Sequence, residues 1–152
     1  MAELLTNTRY YWEADGLDML EIYSIEGLNS EVEVKGSETV GSGKGGVGIR
    51  QATPAGREKF GKVTLKLYAT NEKQLFTYYR DCVNNAGAGS SWAQNRKASS
   101  ITCYDQAGDM QARWEMKDTI PTKYELASLK VDDSQLLLET IVLIHEGVER
   151  VQ

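Results

Sequence analysis

The last third of the chain contains the pattern that most constrains its fold. Residues 110–117 alternate strictly between apolar and polar side chains, and a period of two is typical of a β-strand with one buried face. Residues 136–144 are apolar at nearly every position and are followed by His145. Such a run predicts a strand that is covered on both faces. We expect a turn at Pro121 to separate the two strands.

Five more segments have the period or the composition of β-strands, and turn residues lie between them. Alternation is clearest where Val63, Leu65 and Leu67 are separated by threonine and lysine. The predicted strands are residues 18–27, 31–35, 62–69, 99–105, 110–117, 124–131 and 135–148. We expect hairpin turns at residues 106–109 and 132–133.

One segment has the spacing of an amphipathic helix. Thr70 or Asn71 is a suitable N-cap, and the pattern ends near Asn84, before a run of small residues. The apolar stripe that we expect the helix to bury consists of Leu75, Phe76, Tyr79, Cys82 and Val83. Together the elements predict a mostly β (α+β) fold, an antiparallel β-sandwich or partly closed barrel with one flanking helix.

The length of 152 residues fits one domain over residues 1–152, in which residues 36–61 form a glycine-rich extended loop. No apolar run reaches the roughly 18 residues that a transmembrane helix needs. The first residues lack the pattern of a secretory signal, so we expect folding in the cytoplasm. Cys82 and Cys103 are then expected to be buried free thiols.

Charge is distributed unevenly along the chain. Residues 1–40 contain nine acidic and two basic side chains, residues 41–80 two acidic and eight basic, and residues 81–152 eleven acidic and seven basic. The basic residues are spread over several predicted elements without interleaved aromatic residues in the loop, which is not typical of nucleic-acid binding. Complementary charge between copies of the same chain is an alternative that needs no other partner.

The glycine-rich sequence of residues 41–50 has some likeness to nucleotide-binding loops. A Walker A loop requires G-x-x-x-x-G-K-[ST], but Lys44 is followed here by Gly45. The K-G-G-x-G-K-[ST] loop of partition ATPases matches until Ile49 and Arg50 stand where it needs a lysine and a hydroxyl. No helical pattern follows that would hold a phosphate. We therefore expect no nucleotide, and a loop that orders on contact with a neighbour.

Other candidate sites lack the residues that their chemistry would require. His145 is the only histidine, whereas a metal site needs several ligands and a general base needs a nucleophile or a second acid nearby. Asp132 with Asp133, and likewise Asp105 with Asp109, lack the D-x-D-x-D-G spacing of a calcium loop and fit turns. We expect no catalytic residue, no metal ion and no cofactor.

The order of the segments is more informative than any one of them. In chain order, the first segments are the strand ending Ile25-Glu26-Gly27, the glycine-rich loop, and residues 63–69, which lead into a helix over residues 71–84. They are followed by the hairpin through residues 105–108 to Trp114, by Pro121, and by residues 136–144, which end in His145-Glu146-Gly147. This order resembles the T4-type tail tube family, the inner-tube proteins of contractile phage tails and phage-tail-like contractile injection systems. The resemblance extends from about Asp18 to the end of the chain.

The resemblance implies an Hcp/tail-tube-like fold and a structural role without catalysis. Six copies would form a ring in which the sheets of neighbours join, and stacked rings would form a hollow tube that a contracting sheath drives through a target envelope. The implied partners are other copies of the chain, a sheath protein, baseplate or tube-initiator and terminator proteins, and a cargo protein in the lumen. DNA would pass only through a true phage tail. Assembly in the cytoplasm would precede incorporation into the particle.

Stacking joins unlike surfaces, because the top of one ring meets the bottom of the next. We hypothesise that the basic loop and its flanks meet acidic residues of the adjacent ring. The residues of this ring-stacking interface are Lys44, Arg50, Arg57 and Lys59 on the basic side and Glu31 and Glu33 on the acidic side.

Two other functions are compatible with the sequence. One is a secreted ring-forming carrier or effector of the type VI secretion kind, in which free rings bind a cargo protein. The other is a monomeric ligand-binding β-barrel, which would need an apolar cavity within one chain. The oligomeric state separates these alternatives from a stacked tube.

Overall fold

The computed structural model describes residues 9–35, 39–40, 49–50, 53–84, 94–127, 131 and 136–152. These residues form eleven β-strands and one α-helix, α1 (Gln74–Asn84). The strands are β1 (Arg9–Ala14), β2 (Leu20–Glu26), β3 (Ser30–Lys35), β4 (Thr39–Val40), β5 (Ile49–Arg50), β6 (Thr53–Phe60), β7 (Val63–Tyr68), β8 (Lys97–Tyr104), β9 (Met110–Leu126), β10 (Leu138–Ile144) and β11 (Gly147–Arg150). The mostly β fold with one helix confirms the predicted fold class.

Six antiparallel strands close into a barrel. Hydrogen-bonded neighbours follow the order β10, β7, β2, β1, β8 and β9, and β9 pairs in turn with β10. Strand β9 has 17 residues, so its first half can pair with β8 and β11 while its second half pairs with β10. The fold is therefore a closed barrel rather than an open sandwich, and β11 extends the sheet along β9.

Apolar side chains from alternate strand positions fill the interior of the barrel. On β7, Val63, Leu65 and Leu67 are fully buried, as the period-two pattern predicts. Trp12 of β1 and Met116 of β9 belong to the same core cluster. Burial of side chains of this size stabilises the folded state by about 1.5–3 kcal/mol each. The barrel is therefore held together by a packed interior rather than built around a large cavity.

Helix α1 packs against β9 with a stripe that differs from the predicted one. Leu75, Tyr78 and Cys82 are buried, whereas Phe76 and Val83 are exposed. The buried stripe contains Tyr78 in place of the predicted Tyr79, because the hydroxyl of Tyr78 donates a hydrogen bond to a backbone carbonyl of β9 at 2.7 Å. A buried polar group that finds such a partner can face the core.

The helix begins at Gln74 rather than directly after the predicted caps Thr70 and Asn71. The side-chain Oε1 of Gln74 accepts a hydrogen bond from the backbone N–H of Asp18 at 2.9 Å, which ties the start of the helix to the turn before β2. The end of the helix at Asn84 agrees with the prediction. No helix in the described ranges is long and apolar enough to cross a membrane.

Strand β9 continues through Pro121, so the predicted turn at this residue is wrong. Pro121 lies opposite Leu143, at a register shift between Val142 and Leu143 of β10. A proline has no N–H to donate, and an irregular position in the ladder tolerates it. A second irregularity of β9 lies at Asp118, whose φ is 50°. This residue separates the part of β9 that pairs with β11 from the part that pairs with β10.

Residues 53–60 form strand β6, although they lie within the predicted loop of residues 36–61. Strand β6 contains Pro54 and Gly56, which are uncommon in central strands. The difference arises because β6 pairs only with β3, outside the barrel sheet. A two-stranded ribbon tolerates residues that a core strand would not.

Within one chain, the apolar run of residues 136–144 is covered on one face only. Strand β10 begins at Leu138, and Ile141 and Leu143 are fully buried while Ile144 is exposed. One face of β10 therefore belongs to the core, as in the other barrel strands, and the apolar residues on the other face form part of the surface.

Candidate functional site

Strands β3 and β6, which we call the arm, form a two-stranded sheet of their own between β2 and β7 in the chain. They pair from Ser30 opposite Phe60 to Lys35 opposite Thr53. Val32 of the arm is exposed. A two-stranded ribbon is at best marginally stable alone in water. The arm is therefore suited to contact another chain.

Close backbone contacts hold the base of the arm. Gly27 has a φ of 86°, and a Cβ at this position would collide with the carbonyl oxygen of Lys62. On the other strand, the backbone N–H of Gly61 donates a hydrogen bond to Asn29 Oδ1 at 3.0 Å. These contacts fix the position at which the arm leaves the barrel.

Four of the predicted stacking residues lie exposed on the arm. Glu31 of β3 is directly opposite Lys59 of β6, and Glu33 and Arg57 are exposed on the same two strands. Directly opposed residues of an antiparallel pair point to one face, where opposite charges stabilise the pair by about 0.2–1 kcal/mol. The structure thus brings acidic and basic residues together within one arm, where they can complement each other as well as a neighbouring copy.

The other two predicted stacking residues are not placed in the same way. Lys44 lies outside the described residues. The backbone of Arg50 belongs to β5, which pairs with β4 through Val40 opposite Ile49. Their contribution to an interface between copies stays a prediction.

Strand β11 has an open edge. It lies at the end of the seven-stranded order, paired to β9 on one side and to no described strand on the other. The chain beyond it stays against β9, because the Val151 N–H donates to the Arg113 carbonyl at 2.9 Å. An unpaired edge presents N–H and C=O groups that can pair with another chain. Contact between copies would cover this edge.

The outer face of α1 has an exposed phenylalanine, Phe76, and a half-buried tyrosine, Tyr79. The ring of Phe76 lies edge-on to that of Tyr124 on β9, with centroids 5.3 Å apart, and Tyr79 stacks on Tyr124 at 6.0 Å. Phe76 is 46% exposed. The helix therefore presents an apolar surface to its surroundings in addition to the stripe that it buries.

The cavities do not favour a ligand-binding barrel. A cleft of about 780 Å³ lies at the surface beside β1 and β2, where Tyr10, Ile25 and Trp114 contribute to its wall. The barrel interior itself is filled. Among the described residues, no three metal-ligating side chains lie close together. Cys82 and Cys103 are buried free thiols, as the sequence predicted.

Two features of the structure are not among the sequence-based predictions. The first is strand β1, which no prediction includes, although Trp12 and Ala14 are buried on either side of the exposed Glu13, as the period of two of a strand requires. The second is a contact between the rings of Phe60 and His145, whose centroids are 5.2 Å apart. It joins the last residue of β6 to the end of β10, and no local pattern could have predicted it.

Comparison with known proteins agrees with the architecture. Residues 6–149 match the family model described as T4-like virus tail tube protein gp19. No curated protein sequence matches at a significant level. A chain from the sheath/tube terminator of an extracellular contractile injection system, PVC, in the extended state is 17% identical with a TM-score of 0.73, and the match covers 99% of both chains.

Two further solved structures have the same fold. A chain from the PVC sheath-tube complex in the extended state is 17% identical with a TM-score of 0.69, over 93% of this chain and 87% of that one. Hcp1 from Flavobacterium johnsoniae is 14% identical with a TM-score of 0.57, over 95% of both chains. These likenesses show the fold, and the family model covers most of the sequence. The chain therefore belongs to the T4-like virus tail tube protein gp19 family and is a structural subunit of a tube.

Proposed function

We propose that six copies of this chain form a ring and that the rings stack into the hollow inner tube of a contractile injection system or phage tail. The main support is the arm, which lies outside the barrel sheet and exposes charged residues and Val32. A ribbon of this kind gains stability when a neighbouring chain packs against it. The open edge of β11 is a second surface that a neighbour would cover.

The proposed partners follow from the particles that contain proteins of this fold. Solved structures of similar fold come from a baseplate, a sheath-tube complex and a sheath/tube terminator. We propose that this tube likewise contacts a sheath, starts at a baseplate and ends at a terminator protein, and that it assembles in the cytoplasm. Its role is structural rather than catalytic.

We further propose that arm charges join adjacent rings. Reversing the basic residues in the double variant Arg57→Glu/Lys59→Glu should leave single rings intact and shorten or abolish tubes, because like charges would then face each other between rings. The Lys59→Glu change also places two carboxylates opposite each other within the arm, since position 59 pairs with Glu31. A second variant is therefore needed to separate the two effects.

The second variant is Glu31→Lys/Glu33→Lys, which reverses the acidic side. Rings of each variant are prepared separately and then mixed in equal amounts. If the charges meet between rings, the mixture forms tubes that neither variant forms alone, as negative-stain electron microscopy and sedimentation would show. If they pair only within one arm, mixing restores nothing. Wild-type rings that never stack would instead favour the ring-forming carrier.

A further inference from the structure

His145 lies at the joint between the barrel and the arm. It follows the last residue of β10 and precedes β11, and its ring is tilted by 49° against the ring of Phe60. Phe60 is the last residue of β6 and pairs with Ser30, the first residue of β3. The imidazole therefore contacts the first residue pair of the arm, at the point where the arm leaves the barrel.

The histidine ring is buried without the partners that a charged imidazole needs. Its exposed fraction is 9%, and neither Nδ1 nor Nε2 has a hydrogen-bond partner among the described residues. The backbone of Gly147 is near the ring but does not reach hydrogen-bonding geometry. In this state the neutral ring acts as an apolar surface against Phe60.

The charged groups around this joint do not provide a counter-ion for the ring. Glu146, the next residue, is engaged by Arg96 at 2.7 Å. On the facing strand β9, Lys117 lies opposite Gly147 and Asp118 follows it. On the arm side, Phe60 is near Lys59 and Lys62 in the chain. A proton on His145 would therefore be a buried positive charge without a carboxylate partner among the described residues.

The direction of the pH dependence follows from burial. Burial lowers the pKa of His145 below its ordinary value, and the backbone of Gly147 opposes this only in part. If the joint opens, the exposed ring regains a pKa of about 6.5. The open form then binds protons more tightly than the closed form. The buried neutral ring of His145 therefore contributes fully to the stability of the contact with Phe60 above about pH 6.5. This contribution is lost as the pH falls towards the lowered pKa of the buried ring.

We propose that His145 is an acid-sensitive contact that holds the base of the arm at neutral pH and releases it when the ring is protonated. The imidazolium leaves its apolar site because an unpaired buried charge is costly, and Phe60 loses the surface on which it packs. The consequence for tubes rests on the proposed function: acid would loosen contacts that the arm makes between copies. The opening of the arm itself does not depend on it.

The test is hydrogen–deuterium exchange of the purified protein between pH 7.5 and 5.0, with exchange times corrected for the intrinsic pH dependence of amide exchange. Sedimentation at each pH identifies samples of the same oligomeric state. In the wild type, amides of β6 should lose protection by up to about tenfold for each pH unit below 6.5, until the lowered pKa is reached. Amides of β8, inside the barrel, should not change. In His145→Phe, which keeps an aromatic ring but cannot be protonated, β6 should not respond to pH.

Three results would overturn the proposal: protection of β6 that does not change with pH, an equal loss in β6 and β8, or an equal response in His145→Phe. If this variant does not fold, the comparison of β6 with β8 in the wild type still decides. Absence of tubes at pH 7.5 would refute the proposed function and leave the result for the arm intact.

Discussion

The hydrogen bond from Tyr78 to Thr119 gives a sharp prediction for how the helix is attached to the barrel. Tyr78 is 2% exposed, and its hydroxyl donates to the Thr119 carbonyl at 2.7 Å. Thr119 is itself fully buried, and its Oγ1 donates to the Lys97 carbonyl at 2.6 Å. Burial raises the pKa of Tyr78 well above its ordinary value, so the hydroxyl stays protonated and remains a donor. This bond therefore joins α1 to β9 at any moderate pH.

The variant Tyr78→Phe removes the hydroxyl and little else. A buried acceptor that loses its donor costs about 1–3 kcal/mol, and we expect a loss of about 1–2 kcal/mol because the ring still packs. For a domain of this length, each kcal/mol lowers Tm by about 2–4 °C, so the midpoint should fall by about 2–8 °C. Urea unfolding followed by circular dichroism measures the free energy directly, under conditions in which the protein is not assembled.

Tyr79→Phe is the matched control, since it makes the same chemical change on the half-buried side of the helix, where the ring stacks on Tyr124. This substitution should change stability by less than about 0.5 kcal/mol. Equal losses in the two variants, or no loss in Tyr78→Phe, would refute the assignment of the hydrogen bond as the link between helix and barrel.

Two further predictions concern backbone positions. Gly27→Ala should destabilise the arm base much more than Gly108→Ala: both glycines have positive φ, but a Cβ at Gly27 meets the Lys62 carbonyl whereas a Cβ at Gly108 meets nothing within 4 Å. Similar Tm values for the two variants would contradict the close contact. Asp118 has a φ of 50°, so Asp118→Val should cost about 1–3 kcal/mol while Asp118→Gly should be neutral or stabilising. Urea midpoints in the opposite order would show that β9 relaxes there without strain.

The sequence predicts the fold where a local pattern is enough. Strand β7 and the first half of β9 show strict alternation, and both lie at the predicted positions. The pattern could not show that β9 continues through Pro121, because a proline usually ends a strand unless a distant partner provides an irregular ladder. Strand β6 was missed for a similar reason, since Pro54 and Gly56 are acceptable only in a ribbon outside the core.

The candidate site depends even more on contacts between distant parts of the chain. The sequence predicts an interface role for Glu31 and Lys59, yet their alignment within one arm depends on the pairing of β3 with β6. For His145 the sequence shows only that the partners of a metal site or a general base are missing. Its contact with Phe60 arises because β10 pairs with β7, which places the end of β10 beside the base of the arm. Such pairings have no signature in a single segment.

The oligomeric state of the purified protein tests the central claim most directly. Negative-stain electron microscopy, with sedimentation on the same sample at several protein and salt concentrations, would show what the chain forms. We expect six-fold rings and stacked hollow tubes, with the proportion of tubes rising with protein concentration. A compact monomer under every condition would contradict it.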